Sequence, residues 1–128
     1  MRMVLGIALG SGLGGVLRYW ISGLLAHRFG ESFPVGTLVV NVTGSFVIGL
    51  LAELTAPEGR WLMSEEARQF LMIGVLGGYT TFSSFSLQTL NLARDSQYLA
   101  AGWNVLLSVV LCLAAVWLGQ ISARAFAQ

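Results

Sequence analysis

Charged side chains are almost missing from this sequence. They make up 10 % of its 128 residues, against roughly a quarter in a soluble domain, while apolar residues make up 55 %. That balance excludes an ordinary water-facing surface and points to a membrane protein. Lysine is absent: all seven basic residues are arginines, and the net charge is only +1. There is no basic field of the kind that gathers nucleic acid. One cysteine, Cys112, excludes an intramolecular disulfide; it lies in an apolar run, where a thiol packs as a small hydrophobe. One histidine, His27, and no carboxylate cluster inside the apolar runs argue against a built-in transition-metal site. No run pairs a nucleophile with a His or Asp partner, which removes the usual basis for an intramembrane enzyme. No nucleotide-binding motif is present either.

Four apolar runs are long enough to cross a bilayer, which takes about 20 residues. They cover residues 3–25, 35–54, 67–92 and 99–123. Pro34 precedes the second run, where its missing N–H costs little. The connections, 26–33, 55–66 and 93–98, leave no room for a soluble domain, so residues 1–128 read as one four-helix transmembrane domain. The first run begins near Arg2 as a signal peptide would. No small-x-small cleavage site follows it, so it reads as a retained helix. Ser64-Glu65-Glu66-Ala67 reads as a capped helix start with acids in the first turn.

Four spans place Arg2, Arg60, Arg68 and Arg124 on one side, and Arg28 and Arg94 on the other, with Arg18 inside the first span. This bias is small. It is compatible with a single orientation and with insertion in both.

Polar residues recur in stripes. Gly6, Gly10 and Gly14 share one face of the first span, a spacing that lets backbones approach closely. Arg18 continues that face. An arginine at membrane depth must snorkel, find a partner or face water, so Arg18 is either an anion-attracting vestibule charge or an interfacial anchor. Thr37, Asn41 and Ser45 form a second stripe. Asn41 either bonds helices together or offers N–H donors to a passing anion. Asn104, Ser108 and Cys112 form a third, with the same two readings. Trp103 and Trp117 suit packing or the interface equally.

The densest signal is Gly77-Gly78-Tyr79-Thr80-Thr81-Phe82-Ser83-Ser84-Phe85-Ser86, inside the third run. Adjacent glycines and repeated hydroxyls make a poor lipid-facing helix. Irregular backbone at membrane depth survives only inside protein or beside water, so the third helix is expected to break here, where an ion is handled. Phe82 and Phe85 sit three residues apart, and aromatic ring edges are electropositive.

This stretch, with Gly14-Gly15-Val16-Leu17-Arg18-Tyr19 and Gly36-Thr37-Leu38-Val39-Val40-Asn41, resembles the Fluc/CrcB family of microbial fluoride channels over nearly the whole chain. The resemblance implies an all-α membrane protein with four transmembrane helices, the third broken at its middle, assembled as an antiparallel dual-topology homodimer. It implies fluoride pathways through the dimer interface, lined by Asn41, Phe82 and Phe85 and by a hydroxyl track of Ser83, Ser84, Thr37 and Ser108. Arg18 matches the family's first-helix arginine. A structural Na⁺ at the dimer centre is implied, held by the backbone carbonyls of Gly77 and Thr80. Many members carry glutamate where this chain has Gln88, which cannot ionise. The implied activity is passive, selective export of cytoplasmic fluoride from a bacterial cell, across the inner membrane, for fluoride resistance. Two rivals stand beside it. A small dual-topology multidrug exporter needs a carboxylate in the first span, which here holds Arg18 and no acid. A non-transporting assembly subunit would use the same stripes only for packing.

Overall fold

The computed structural model describes residues 1–126, and among them every regular element is helical. Helix α1 spans Arg2–Phe29 and α2 spans Val35–Leu54. The third span runs Glu65–Arg94 in pieces: α3 (Glu65–Gln69), a π-helical segment (Phe70–Leu76), α4 (Gly77–Tyr79) and α5 (Phe82–Arg94). Helix α6 spans Tyr98–Phe126. All four spans are long and apolar enough to cross a membrane, so the chain is a multi-pass membrane protein.

The second span matches its expected bounds. The others run further, because polar end residues continue the helix beyond the apolar run. Helix α1 takes in His27 and Arg28, two basic residues that complement the C-terminal dipole, and ends at Gly30 (φ 80°), a backbone region open to glycine. Ser64 caps α3 as its sequence predicts: its hydroxyl accepts from the Ala67 N–H at 3.2 Å.

Glycines set the packing. Helix α1 lies along the π segment and α4, and α2 lies along α6. A Cβ on Gly10 would sit 2.7 Å from the Phe70 carbonyl, and one on Gly14 would sit 2.7 Å from the Tyr79 amide. The glycine stripe of the first span is therefore a packing seam from Gly10 onward, whereas Gly6 has nothing within 4 Å. Gly49 and Gly119 form the second seam, each facing the other helix's backbone. Val40, Leu76 and Tyr79 form the buried apolar centre between the two seams.

The expected break is present, but it falls at Thr80 and Thr81, after the glycines. Thr80 (ψ 158°) and Thr81 (φ −154°) are extended, while Gly77, Gly78 and Tyr79 stay helical. Gly78 serves contact with α1: a Cβ there would lie 2.8 Å from Ser11 Cα. The π segment before it has no sequence signal that distinguishes it from an ordinary helix. π turns concentrate at functional sites, and this one ends one short helical turn before the break.

Candidate functional site

The break is held open by Asn41. Its Nδ2 donates to the Thr81 carbonyl at 3.0 Å, and its Oδ1 accepts from the Thr81 amide at 2.8 Å. In a continuous helix that amide would bond to the Gly77 carbonyl four residues earlier. Likewise the Ser84 amide, which would meet the Thr80 carbonyl, donates to Thr81 Oγ1 at 3.1 Å. Both diversions strip Gly77 and Thr80 of their helical donors. The intervening Gly78 carbonyl accepts from Arg18 Nε at 3.1 Å. Arg18 thus crosses from α1 to the break instead of anchoring the helix end.

Thr81 caps α5 and centres a hydroxyl cluster. Its Oγ1 donates to Ser84 Oγ at 3.1 Å and lies 3.3 Å from Ser83 Oγ. Across the break, the Tyr79 hydroxyl and Thr43 Oγ1 are 2.8 Å apart. Thr43 Oγ1 also lies 2.8 Å from the Val39 carbonyl, which takes its proton, so Tyr79 is the donor between the two hydroxyls.

Two cavities flank the break. A vestibule of about 760 Å³ is lined by Arg18, Thr37, Ser84, Gln88 and Asn91, with Glu31 and Asp95 also on its walls. A groove of about 410 Å³ is lined by Asn41, Ser45, Phe82, Phe85 and Ser108 and by the segment Leu76–Gly77 with Thr80. Thr81 lines both, so the two cavities meet at the residue that Asn41 clamps.

The structure therefore sorts the sequence-derived residues into two groups. Arg18, Thr37 and Ser84 face the vestibule; Asn41, Gly77, Thr80, Phe82, Phe85 and Ser108 face the groove. Ser83 is exposed and meets the site through Thr81. The two phenylalanines pack with centroids 5.2 Å apart and planes tilted by 54°. They differ in burial: Phe85 is buried, and Phe82 is 77 % exposed. Asn104 stands apart from both cavities. It is 2 % exposed and donates to Thr89 Oγ1 at 2.9 Å, which ties α6 to α5. For that residue the helix-bonding alternative holds.

Sequence reasoning placed Thr81 near Ser84 and Gln88 around the third helix but did not read it as a cap. Its signal was available: threonine is a preferred N-cap, and here it caps a helix that restarts in mid-membrane. The Arg18–Gly78 bond had no such signal, since sixty positions separate the partners. Gln88 Oε1 is buried without a hydrogen-bond partner among the described residues. No group of three or more His, Cys, Asp or Glu comes together among the described residues.

Comparison with known proteins gives the family. A protein of Opitutus terrae named "Fluoride-specific ion channel FluC" is 63 % identical over 96 % of this chain and 93 % of its own. A Rhodospirillum rubrum protein of the same name is 60 % identical over 91 % of each chain. One from Coxiella burnetii is 48 % identical over 94 % of this chain and 97 % of its own. The sequence model of the family described as "CrcB-like protein, Camphor Resistance (CrcB)" matches residues 5–120. By that match, and by relatives that share nearly its whole length, the chain belongs to the CrcB family.

Proposed function

We propose that this protein is a passive, fluoride-selective ion channel that lets cytoplasmic fluoride leave a bacterial cell across its inner membrane. The observation that carries this reading is the clamped break, with an arginine-lined vestibule on one side and an Asn/Ser/Phe-lined groove on the other. Fluoride is small and tightly hydrated, so a path must replace its water with close donors. Asn41 keeps one N–H beyond the bond to Thr81, and Thr37, Ser84 and Ser108 add hydroxyls. The electropositive ring edges of Phe82 and Phe85 suit an anion without binding it as tightly as a full charge. Arg18 supplies positive potential at the vestibule. The relatives are named as ion channels, and this chain is read likewise as a channel and not an enzyme.

The working unit in this reading is an antiparallel, dual-topology homodimer. Two features support a second copy. The groove is partly open although Asn41, Ser45 and Ser108 line it, and lipid chains cannot satisfy such groups. Phe82 projects from the same surface. The weak arginine bias, four on one side and two on the other with Arg18 inside the first span, permits insertion in both orientations.

The Gly77 and Thr80 carbonyls fit a structural Na⁺. They are neutral oxygens freed from helical donors, the ligand type a hard cation takes. Bound there, Na⁺ would supply a fixed positive charge between the copies. The chain's own part is to present the two carbonyls, and Asn41 and Thr81 do so by drawing the competing amides away.

Liposomes loaded with potassium fluoride, given valinomycin and read with an external fluoride electrode, test the function. Rapid fluoride release, with none from matched chloride-loaded liposomes, is expected. No release from a folded dimer in Na⁺ would overturn the channel reading in favour of an assembly subunit.

A further inference from the structure

The connection between α2 and α3 presents two large apolar side chains: Leu62 is 93 % exposed and Trp61 is 50 % exposed. This connection is tied down at several points. The chain doubles back on the end of α2 through Gly59 N–H to the Ala56 carbonyl at 2.7 Å and Trp61 N–H to the Leu54 carbonyl at 2.9 Å. Gly59 is wedged so tightly that a Cβ would lie 2.8 Å from the Glu53 carbonyl. The Arg60 guanidinium donates to the Phe126 carbonyl at the end of α6. From the α3 side, Arg68 Nε donates to Thr55 Oγ1 at 3.2 Å. Residues 60–63 therefore form a braced tongue across the ends of three spans, with Trp61 and Leu62 turned outward.

A tongue at that place lies at the depth where a bilayer changes from hydrocarbon to headgroup. Tryptophan favours that depth because its ring is apolar and its N–H can stay wet. The surrounding charge decides what kind of lipid contact this is. Arg2, Arg60, Arg68 and Arg124 lie at this end, and so do Glu53, Glu58, Glu65 and Glu66. The two signs are equal in number, and Arg124 is already paired with Glu53 at 2.8 Å. Net attraction to anionic headgroups is therefore small, and apolar insertion is the dominant contact.

We propose that the Arg60–Met63 tongue is an interfacial anchor that inserts Trp61 and Leu62 into the lipid surface, with zwitterionic lipid sufficient to hold it. It sets the depth of the α2–α3 end, and it does so whether or not the chain conducts fluoride.

The full chain is reconstituted in phosphatidylcholine vesicles, with or without bromine on the acyl chains near the headgroups. Wild type and Trp61→Phe are compared, so that their difference isolates Trp61 from Trp20, Trp103 and Trp117. The Trp61 emission is expected to be blue-shifted, quenched about twofold or more by bromine, and insensitive to aqueous iodide. Iodide quenching without bromine quenching would place the tongue in water and overturn the proposal. Insensitivity to both would overturn it in favour of a second protein copy covering the tongue. Bromine quenching that needs anionic lipid would overturn the claim that apolar insertion suffices. If Trp61→Phe fails to fold, a nitroxide on Leu62→Cys in a Cys112→Ala background gives the same decision. Collision with oxygen must then exceed collision with a water-soluble nickel chelate.

Discussion

Replacing Asn41 with leucine removes both bonds that hold the third span open at Thr81. Each stranded backbone group costs about 1–3 kcal/mol, so the pair amounts to roughly 2–6 kcal/mol. That is a large part of the ~5–15 kcal/mol that holds a typical domain together. The Thr81 amide has one escape. It can return to the Gly77 carbonyl and heal that turn of the helix, which recovers one of the two bonds. The loss of stability then falls near the lower end of the range, but the Gly77 oxygen is no longer free for a cation. Two coupled effects are expected: a lower thermal midpoint, and loss of any stabilisation by Na⁺ over a large organic cation. Both are read from the monodisperse peak of the detergent-solubilised protein after heating in each salt. Fluoride efflux from liposomes should fall at least tenfold, a change equivalent to about 1.4 kcal/mol in barrier. Asn41→Asp is the companion, since an ionised carboxylate still accepts from the Thr81 amide but cannot donate to its carbonyl. It should be the better folded of the two and still conduct poorly. A leucine variant that keeps the parent's midpoint, Na⁺ response and efflux would refute the clamp.

Phe82→Ile and Phe85→Ile should each cut fluoride efflux while the protein still elutes as the parent does; undiminished efflux in both would remove the aromatic-edge argument. Gly78→Ala pushes a methyl to 2.8 Å from Ser11 Cα, and overpacking of this kind costs about 1–3 kcal/mol. It should lower the thermal midpoint, and an unchanged midpoint would show that α1 and the third span are less closely seated than described. Arg18→Met removes the donor to the Gly78 carbonyl and the charge at the vestibule. Efflux should drop most at low ionic strength, where the lost potential is least screened, and a salt-independent loss would assign Arg18 to structure alone.

Much of the fold was legible because hydrocarbon imposes strict rules on a sequence. Run length gave four spans, and four-residue glycine steps gave the seam that Gly10 and Gly14 form with the third span. Ser64 was readable as a cap because capping is local. The break was readable as a region but not as a position. Gly77 and Gly78 look like helix breakers, yet both stay helical, and Gly78 is fixed by Ser11 on another helix, which no local pattern reveals. The site was legible in its residue types and less so in its partnerships. Asn41 could have pointed at an open path or at protein, and only the folded chain shows its carboxamide turned onto Thr81. The π segment left no mark, because Phe-Leu-Met-Ile-Gly-Val-Leu satisfies an α-helix equally well.

The two glycine seams pair helices that are not successive in the chain, and this bears on how the protein is made. Helix α1 seats against the third span, and α2 against α6. During synthesis, α2 enters the bilayer with the bare backbone at Gly49 and must wait through the whole third span for the matching surface at Gly119. The α1 seam can close once the third span is in place, but the α2 seam stays open until the last helix arrives. A ribosome stalled before α6 would leave an inserted but unclosed intermediate, the form most exposed to membrane proteases. Quality control of this small protein thus turns on its final span.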